Sequence, residues 1–138
     1  MRNFDEFVKK GIVKKRRKDS ARAKSLIDEA EKRLKFYKAI PLKDDSANYI
    51  IENMYDVIRE LIEAKLLLEG YKSYSHEAKV SYLKNLNFTI SEVKFLDDLR
   101  MIRNKTKYYG HRINEEYAKR VLDFVDKIYS RLKKAASS

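Results

Sequence analysis

The sequence predicts an all-α fold, a bundle of four long helices plus a short one, on three observations. Glycine and proline are scarce, 3 and 1 in 138 residues, while Leu, Ala, Glu, Lys and Arg, all good helix formers, abound. Apolar residues recur at intervals of three and four over long stretches. Good N-cap types precede those stretches, and Gly or Pro follows them. A chain of 138 residues is long enough to bury one core. No internal repeat or low-complexity linker divides it, so a basic N-terminal segment, 1–18, is expected to precede a single domain, 19–138.

Each element follows from its own residues. The first segment predicts a short helix over 4–10, ended by Gly11, and then an extended basic strap. From Asp19 or Ser20, the positions Ala23, Leu26, Ile27, Ala30, Leu34 and Tyr37 mark a helix to about residue 39, stopped by Pro41. Asp44, Asp45 and Ser46 supply the next cap. Ala47, Ile50, Ile51, Met54, Ile58, Leu61, Ile62 and Leu68 then mark a long central helix that ends at Gly70. Its second half is apolar on more than one face, which predicts contact with two neighbours or with another subunit. Residues 71–74 read as a polar turn. Ser75 then caps a short helix over 76–86, with His76 in an exposed or capping position. Thr89 and Glu92 form a capping-box pattern that opens the fourth long helix, which stops at Gly110. Asn114 caps the last helix, with Ala118, Val121, Leu122, Val125, Ile128 and Leu132 on its buried stripe.

Composition narrows the function classes. The absence of cysteine rules out disulfides and thiolate metal sites, and two histidines far apart in sequence argue against an all-protein zinc site. No cofactor is expected. The longest apolar run, 61–68, contains Glu63 and Lys65 and is far short of the roughly 20 residues of a membrane span. Acids near the N-terminus, where a secretory signal has a basic and then an apolar run, point to a cytoplasmic protein. The net charge of +11 predicts attraction to polyanions that weakens as salt rises. More than half of that charge lies in residues 1–18. The run Lys14, Lys15, Arg16, Arg17 and Lys18 reads either as a nucleic-acid contact or as a solvated arm.

The densest polar group is LRMIRNKTKYYGH, residues 99–111. At about 100° per residue, Arg100, Arg103, Asn104, Lys107 and Tyr108 share one arc of a helix. Phe95, Leu99, Ile102, Thr106 and Tyr109 take the other side, the expected core face. Arg103 falls at the border, where its stem can be buried while its head reaches a ligand.

This stretch, with Asn53-Met54-Tyr55 in the central helix and GYKSYSHEA at 70–78, resembles the HEPN family of small helical domains over most of the chain. The resemblance implies an up-and-down bundle that pairs as a homodimer, with two copies of the motif over a shared cleft. Many members are metal-independent RNA endonucleases, some of them toxins of toxin–antitoxin pairs. A minimal nucleotidyltransferase is a frequent partner and would here be a separate chain. The family motif is Arg, commonly followed by Asn, Asp or His, and then a His after four to six intervening residues. Arg103 and Asn104 match its start. Tyr108 stands where the shortest spacing puts the histidine, and His111 lies beyond the family spacing, after Gly110.

In that chemistry the 2′-hydroxyl of RNA attacks the adjacent phosphorus. Arg103 would hold the phosphate oxygens and stabilise developing charge, and Asn104 would orient the phosphate or hydroxyl. His111 is the natural acid or base; Tyr108, with a reference pKa near 10, is suited at most to proton donation. A second reading keeps the grip without cleavage: Tyr108 and Tyr109 stack bases while Arg100, Arg103 and Lys107 hold the phosphates of RNA or a nucleotide. A third is architectural, with Tyr109 in the core, Tyr108 at an interface and the arginines paired to Asp97, Asp98 or Glu52.

Overall fold

A computed structural model describes residues 2–110 and 112–138; the side chains of Tyr108 and Tyr109 lie outside the described set, as does His111. The chain is mostly helical. The elements run α1 (Phe4–Lys9), β1 (Val13–Lys15), α2 (Ser20–Lys38), α3 (Ala47–Glu69), β2 (Tyr71–Ser73), α4 (His76–Ser81), a 3₁₀ turn (Tyr82–Leu86), α5 (Ile90–Tyr109) and α6 (Glu115–Ala136).

The capping chemistry read from sequence forms at most helix starts. Asp19 accepts from the Arg22 amide, Ser75 from that of Ala78 and Asn114 from that of Tyr117. Thr89 and Glu92 complete the reciprocal capping box at α5. At α3 the expected cap is absent: the Ser46 hydroxyl instead accepts from the Lys43 amide and donates to the Pro41 carbonyl, holding the turn before the helix. The single short helix read over 76–86 splits into α4 and the 3₁₀ turn.

Helix α3 is the axis of the fold, and α2, α6, α5, α4 and β2 all pack on it. Its apolar second half therefore meets neighbours of its own chain, with Leu61, Ile62, Ala64 and Leu66 at 1% exposure or less. Cross-contacts give the helix directions. Asp19 bonds Leu67, near the far end of α3, so α2 runs antiparallel to α3. Glu52 faces Lys107 and Asp56 faces Arg103, so α5 does too. The start of α3 meets the start of α6 through the Ile113 amide and Asn48, and Lys65 reaches the carbonyl of Ser138, so these two helices run in the same sense. No helix among the described residues is long and apolar enough to cross a membrane.

The N-terminal segment is built into this frame. Phe4 and Phe7 are buried, with Phe4 packed against the rings of Tyr71 and Tyr82. The residues read as a polar turn at 71–74 instead form β2, which pairs antiparallel with β1 in the register Val13↔Ser73, Lys14↔Lys72, Lys15↔Tyr71. The alternation is short but clear: Val13 and Ser73 face inward while Lys14 is exposed. Beyond β1 the Arg16 amide donates to the Gly70 carbonyl at 2.8 Å and the Asp19 amide to that of Leu67 at 3.2 Å.

Gly70 has φ +83°, and a Cβ there would lie 3.0 Å from the Arg16 carbonyl oxygen. Gly110, at φ +67°, has open space around the same position. Left-handed backbone costs a residue with a Cβ about 1–2 kcal/mol, so Gly110→Ala should lose about that much. Gly70→Ala should lose more, because it also strains the strap. Urea unfolding of both variants checks the difference, and equal losses would show that the strap yields freely.

Candidate anion site between α3, α4 and α5

The most buried stripe of α5 is Glu92, Leu96, Leu99 and Arg103, at 6%, 0%, 0% and 6% exposure. These positions are spaced four, three and four residues apart, one face of a helix. Arg103 therefore lies at the centre of the buried face and not at its border. The buried face differs from the expected one: Leu96 is fully buried, whereas Phe95, whose ring packs on Tyr117 and Phe124 of α6, is only half-buried, as are Ile102 and Thr106.

A guanidinium in that position needs partners, and α3 supplies few. Arg103 Nη2 lies 3.5 Å from Asp56 Oδ1, a long contact, and Nε is buried with no hydrogen-bond partner. The guanidinium sits 5.3 Å from the centroid of the Tyr55 ring. Asp56 is shared, since Arg59 Nε approaches the same oxygen at 3.1 Å. Arg59 also reaches Glu63 at 3.4 Å, and Glu63 accepts from Lys72 at 2.7 Å and meets Lys79 at 3.7 Å.

The face of Tyr55 also receives His76, the first residue of α4. The rings are nearly parallel, 11° apart with centroids 5.8 Å apart, and the Tyr55 hydroxyl shares a 3.1 Å hydrogen bond with His76 Nδ1. His76 is thus half-buried in the cluster and not merely at a helix cap. Burial pushes its imidazole down to about pKa 4, and the cations of Lys79, Arg103 and Arg59 add to the shift against a smaller opposing effect of Asp56. Burial also holds the Tyr55 phenol well above its ordinary value, although Arg103, Arg100 and Arg59 pull the other way. Neutral imidazole and protonated phenol therefore sit side by side near neutral pH.

The other expected site residues divide. Arg100 pairs with Asp97 at 2.9 Å, as the architectural reading expects of an arginine, whereas Glu52 takes Lys107 at 3.8 Å and Asp98 takes Lys94. Asn104 is half-buried on the same helix. The expectations for Tyr108, Tyr109 and His111 lie outside the described side chains. Asn53 points away from the cluster, accepting from Arg33 at 2.6 Å in a network with Glu60. Lys14, Lys15, Arg16, Arg17 and Lys18 are all exposed. Beside Thr106 and Lys107 a cleft of about 370 Å³ is lined by Asp44, Asp45, Asn48, Tyr49, Glu52 and Arg112. Its three carboxylates disfavour phosphate there.

Sequence reasoning missed Tyr55, Asp56, Arg59 and His76 as members of one cluster. Asp56 and Arg59 stand on a helix otherwise read for its apolar stripe, and the Tyr55–His76 pair joins residues 21 apart. The available signal was the density of charge on a helix too apolar to be solvent-facing. No protein-family model matches this chain, and no curated protein matches it either.

The shifted imidazole has a measurable consequence. Folded His76 takes its proton near pH 4, whereas an unfolded histidine does so near pH 6.5. The unfolded state therefore binds more protons between these values. The contribution of neutral His76 to stability is complete above about pH 6.5 and is lost as pH falls toward 4. An NMR titration should place the His76 midpoint near 4, and His76→Asn should flatten the fall in Tm across this window. A midpoint at the ordinary value would mean that water reaches the ring.

Proposed function

We propose that this chain is an RNA-binding protein of the HEPN kind, in which Arg103 holds a phosphodiester. The observation that carries this reading is a guanidinium at 6% exposure whose Nε has no partner and whose one carboxylate contact is 3.5 Å long. A buried charge so poorly satisfied is costly. A phosphate meeting Arg103 in the forked geometry that arginine favours would satisfy it. Asp56 would keep Arg59 as its counter-ion. Arg59 and Arg100 are more exposed than Arg103; Arg59 adds to the positive potential at His76, and both act on Tyr55.

A second reading, metal-independent cleavage, is favoured by His76. In that reaction the 2′-hydroxyl oxygen bonds to phosphorus as the 5′-oxygen leaves, giving a cyclic phosphate and a 5′-hydroxyl. One group takes the 2′-proton and another supplies a proton to the leaving oxygen. His76 is held in the unprotonated form that the first role needs, and its lowered proton affinity makes it a weak base there. The family resemblance assigns proton transfer instead to Tyr108 or His111, with toxin activity and a separate nucleotidyltransferase partner as the biological setting.

Arg103→Met separates function from architecture, because Asp56 keeps Arg59 at 3.1 Å as its counter-ion and is not left as an unpaired buried charge when the Arg103 guanidinium is removed. We expect RNA affinity to fall about 10- to 100-fold, the worth of a charge-assisted contact, while Tm holds. Unchanged affinity would remove Arg103 from the site. Incubation of labelled RNA in excess EDTA with wild type, His76→Asn and His111→Ala tests cleavage. Cyclic-phosphate ends lost in His76→Asn alone would assign the proton transfer to α4.

The homodimer belongs to the same proposal. Helix α5 turns Ile90 (83% exposed) and Met101 (44%) outward, along a groove that also carries Lys84, Lys94, Asp97 and Asp98. Both charge signs beside apolar residues suit a self-complementary two-fold contact. Sedimentation should show a dimer at micromolar concentration that Met101→Glu dissociates; a wild-type monomer would remove the shared cleft.

A further inference from the structure

The excess positive charge of this protein is not spread evenly, and the ribbon β1/β2 shows where it collects. Lys14, Lys15, Arg16 and Arg17 are exposed and form no ion pair with any described residue. Lys18 is different, since it lies near Glu69 and, more weakly than Lys65, helps hold that carboxyl below its usual range. The four unpaired cations are not on a loose arm. Strand pairing fixes Lys14 and Lys15, and the bond from Arg16 to Gly70, followed by that from Asp19 to Leu67, fixes the backbone after them.

The outer face of the ribbon continues onto β2. Lys72 stands opposite Lys14; its ammonium is held by Glu63 at 2.7 Å and lies 5.7 Å from the ring centroid of Tyr74. Tyr74 is 70% exposed and only two residues before His76. Row, aromatic and cluster thus follow one another along the surface chain.

We propose that this ribbon is a preformed track for a single-stranded nucleic acid, with Lys14, Lys15, Arg16 and Arg17 on its phosphates and Tyr74 stacked on a base, leading toward the Arg103 cluster. Cations held in place beside an exposed ring match what unpaired strands offer: a phosphate backbone and free base faces. A membrane surface fits less well. The apolar residues of the ribbon point inward, with Val13 at 1% exposure, leaving no hydrophobic anchor. The inference shares with the proposed function the premise of a nucleic-acid ligand but rests on different residues.

The test is fluorescence anisotropy with a labelled oligouridine RNA over a range of sodium chloride concentrations. Replacing Lys14, Lys15, Arg16 and Arg17 together by Gln should lower the slope of log affinity against log salt by about 3, with Tm unchanged. Tyr74→Phe should keep the affinity, and Tyr74→Ala should weaken it about tenfold at an unaltered slope. The proposal is overturned by an unchanged slope in the Gln variant, by tighter binding to a duplex of equal length, or by loss of binding to phosphatidylserine vesicles alone. If Arg103→Met loses affinity and the Gln variant does not, the track fails and the anion site stands; the reverse pattern retains the track and removes the site.

Discussion

The fold depends on how α3 keeps its carboxylates. This helix is enclosed on nearly every side, yet it carries Asp56, Glu60 and Glu63, the last two at 2% and 6% exposure. A buried carboxylate without a partner is expensive, so each neighbour must bring a cation to the right level. Glu60 takes Arg33 of α2, Asp56 takes Arg103 of α5, and Glu63 takes Lys72 of β2 and Lys79 of α4. Such pairs add little net stability compared with apolar replacements, but breaking one is costly. They therefore act against alternative registers of the helices around α3. Their strength differs along the axis. Burial outweighs Arg33 and Arg59 at Glu60 and, with Glu29, raises its carboxyl, whereas at Glu63 the bond from Lys72 and the charges of Lys79 and Arg59 overcome burial and lower it.

The candidate site arises from the same arrangement where it is least balanced. At Asp56 two arginines share one carboxylate oxygen, and Arg103 has the poorer share. Burial, reinforced by the surplus positive charge, makes the neighbouring His76 resist protonation. A region that an architectural network leaves under-neutralised, beside a polar ring pair, has the electrostatics of an anion site without any residue outside the packing scheme.

The helices were legible because their signals are local. Thr89 and Glu92, Asn114, and the glycines at 70 and 110 act within a few residues of themselves, and the structure realises each. Three features were not legible, for one physical reason. The strand Tyr71–Ser73 is too short for periodicity and exists because Val13–Lys15 lies beside it. Arg103 is drawn inside by Asp56 and Tyr55, residues nearly fifty positions away, so charge gave the wrong exposure. His76 gained its environment from Tyr55 and not from its own helix. In the motif at 99–111 the sequence placed the arginine in the right helix, while its depth was set by the partner helix.

The ribbon also bears on the order in which the chain folds. Its first strand is near residue 14 and its second near residue 72, so all of α2 and α3 lies in the loop that the pairing closes. Closing a long loop costs chain entropy before any contact rewards it, whereas α2 and α3, joined by a short turn, meet early. Residues 4–15 emerge before α3 and β2 during synthesis and have no docking surface until those elements have followed. Until then Phe4, Phe7 and Val13 remain uncovered. The segment before α2 thus finds its place only after α3 and β2, and its pairing, like the docking of α6 on α3, is a long-range step added to the local pairing of α2 with α3.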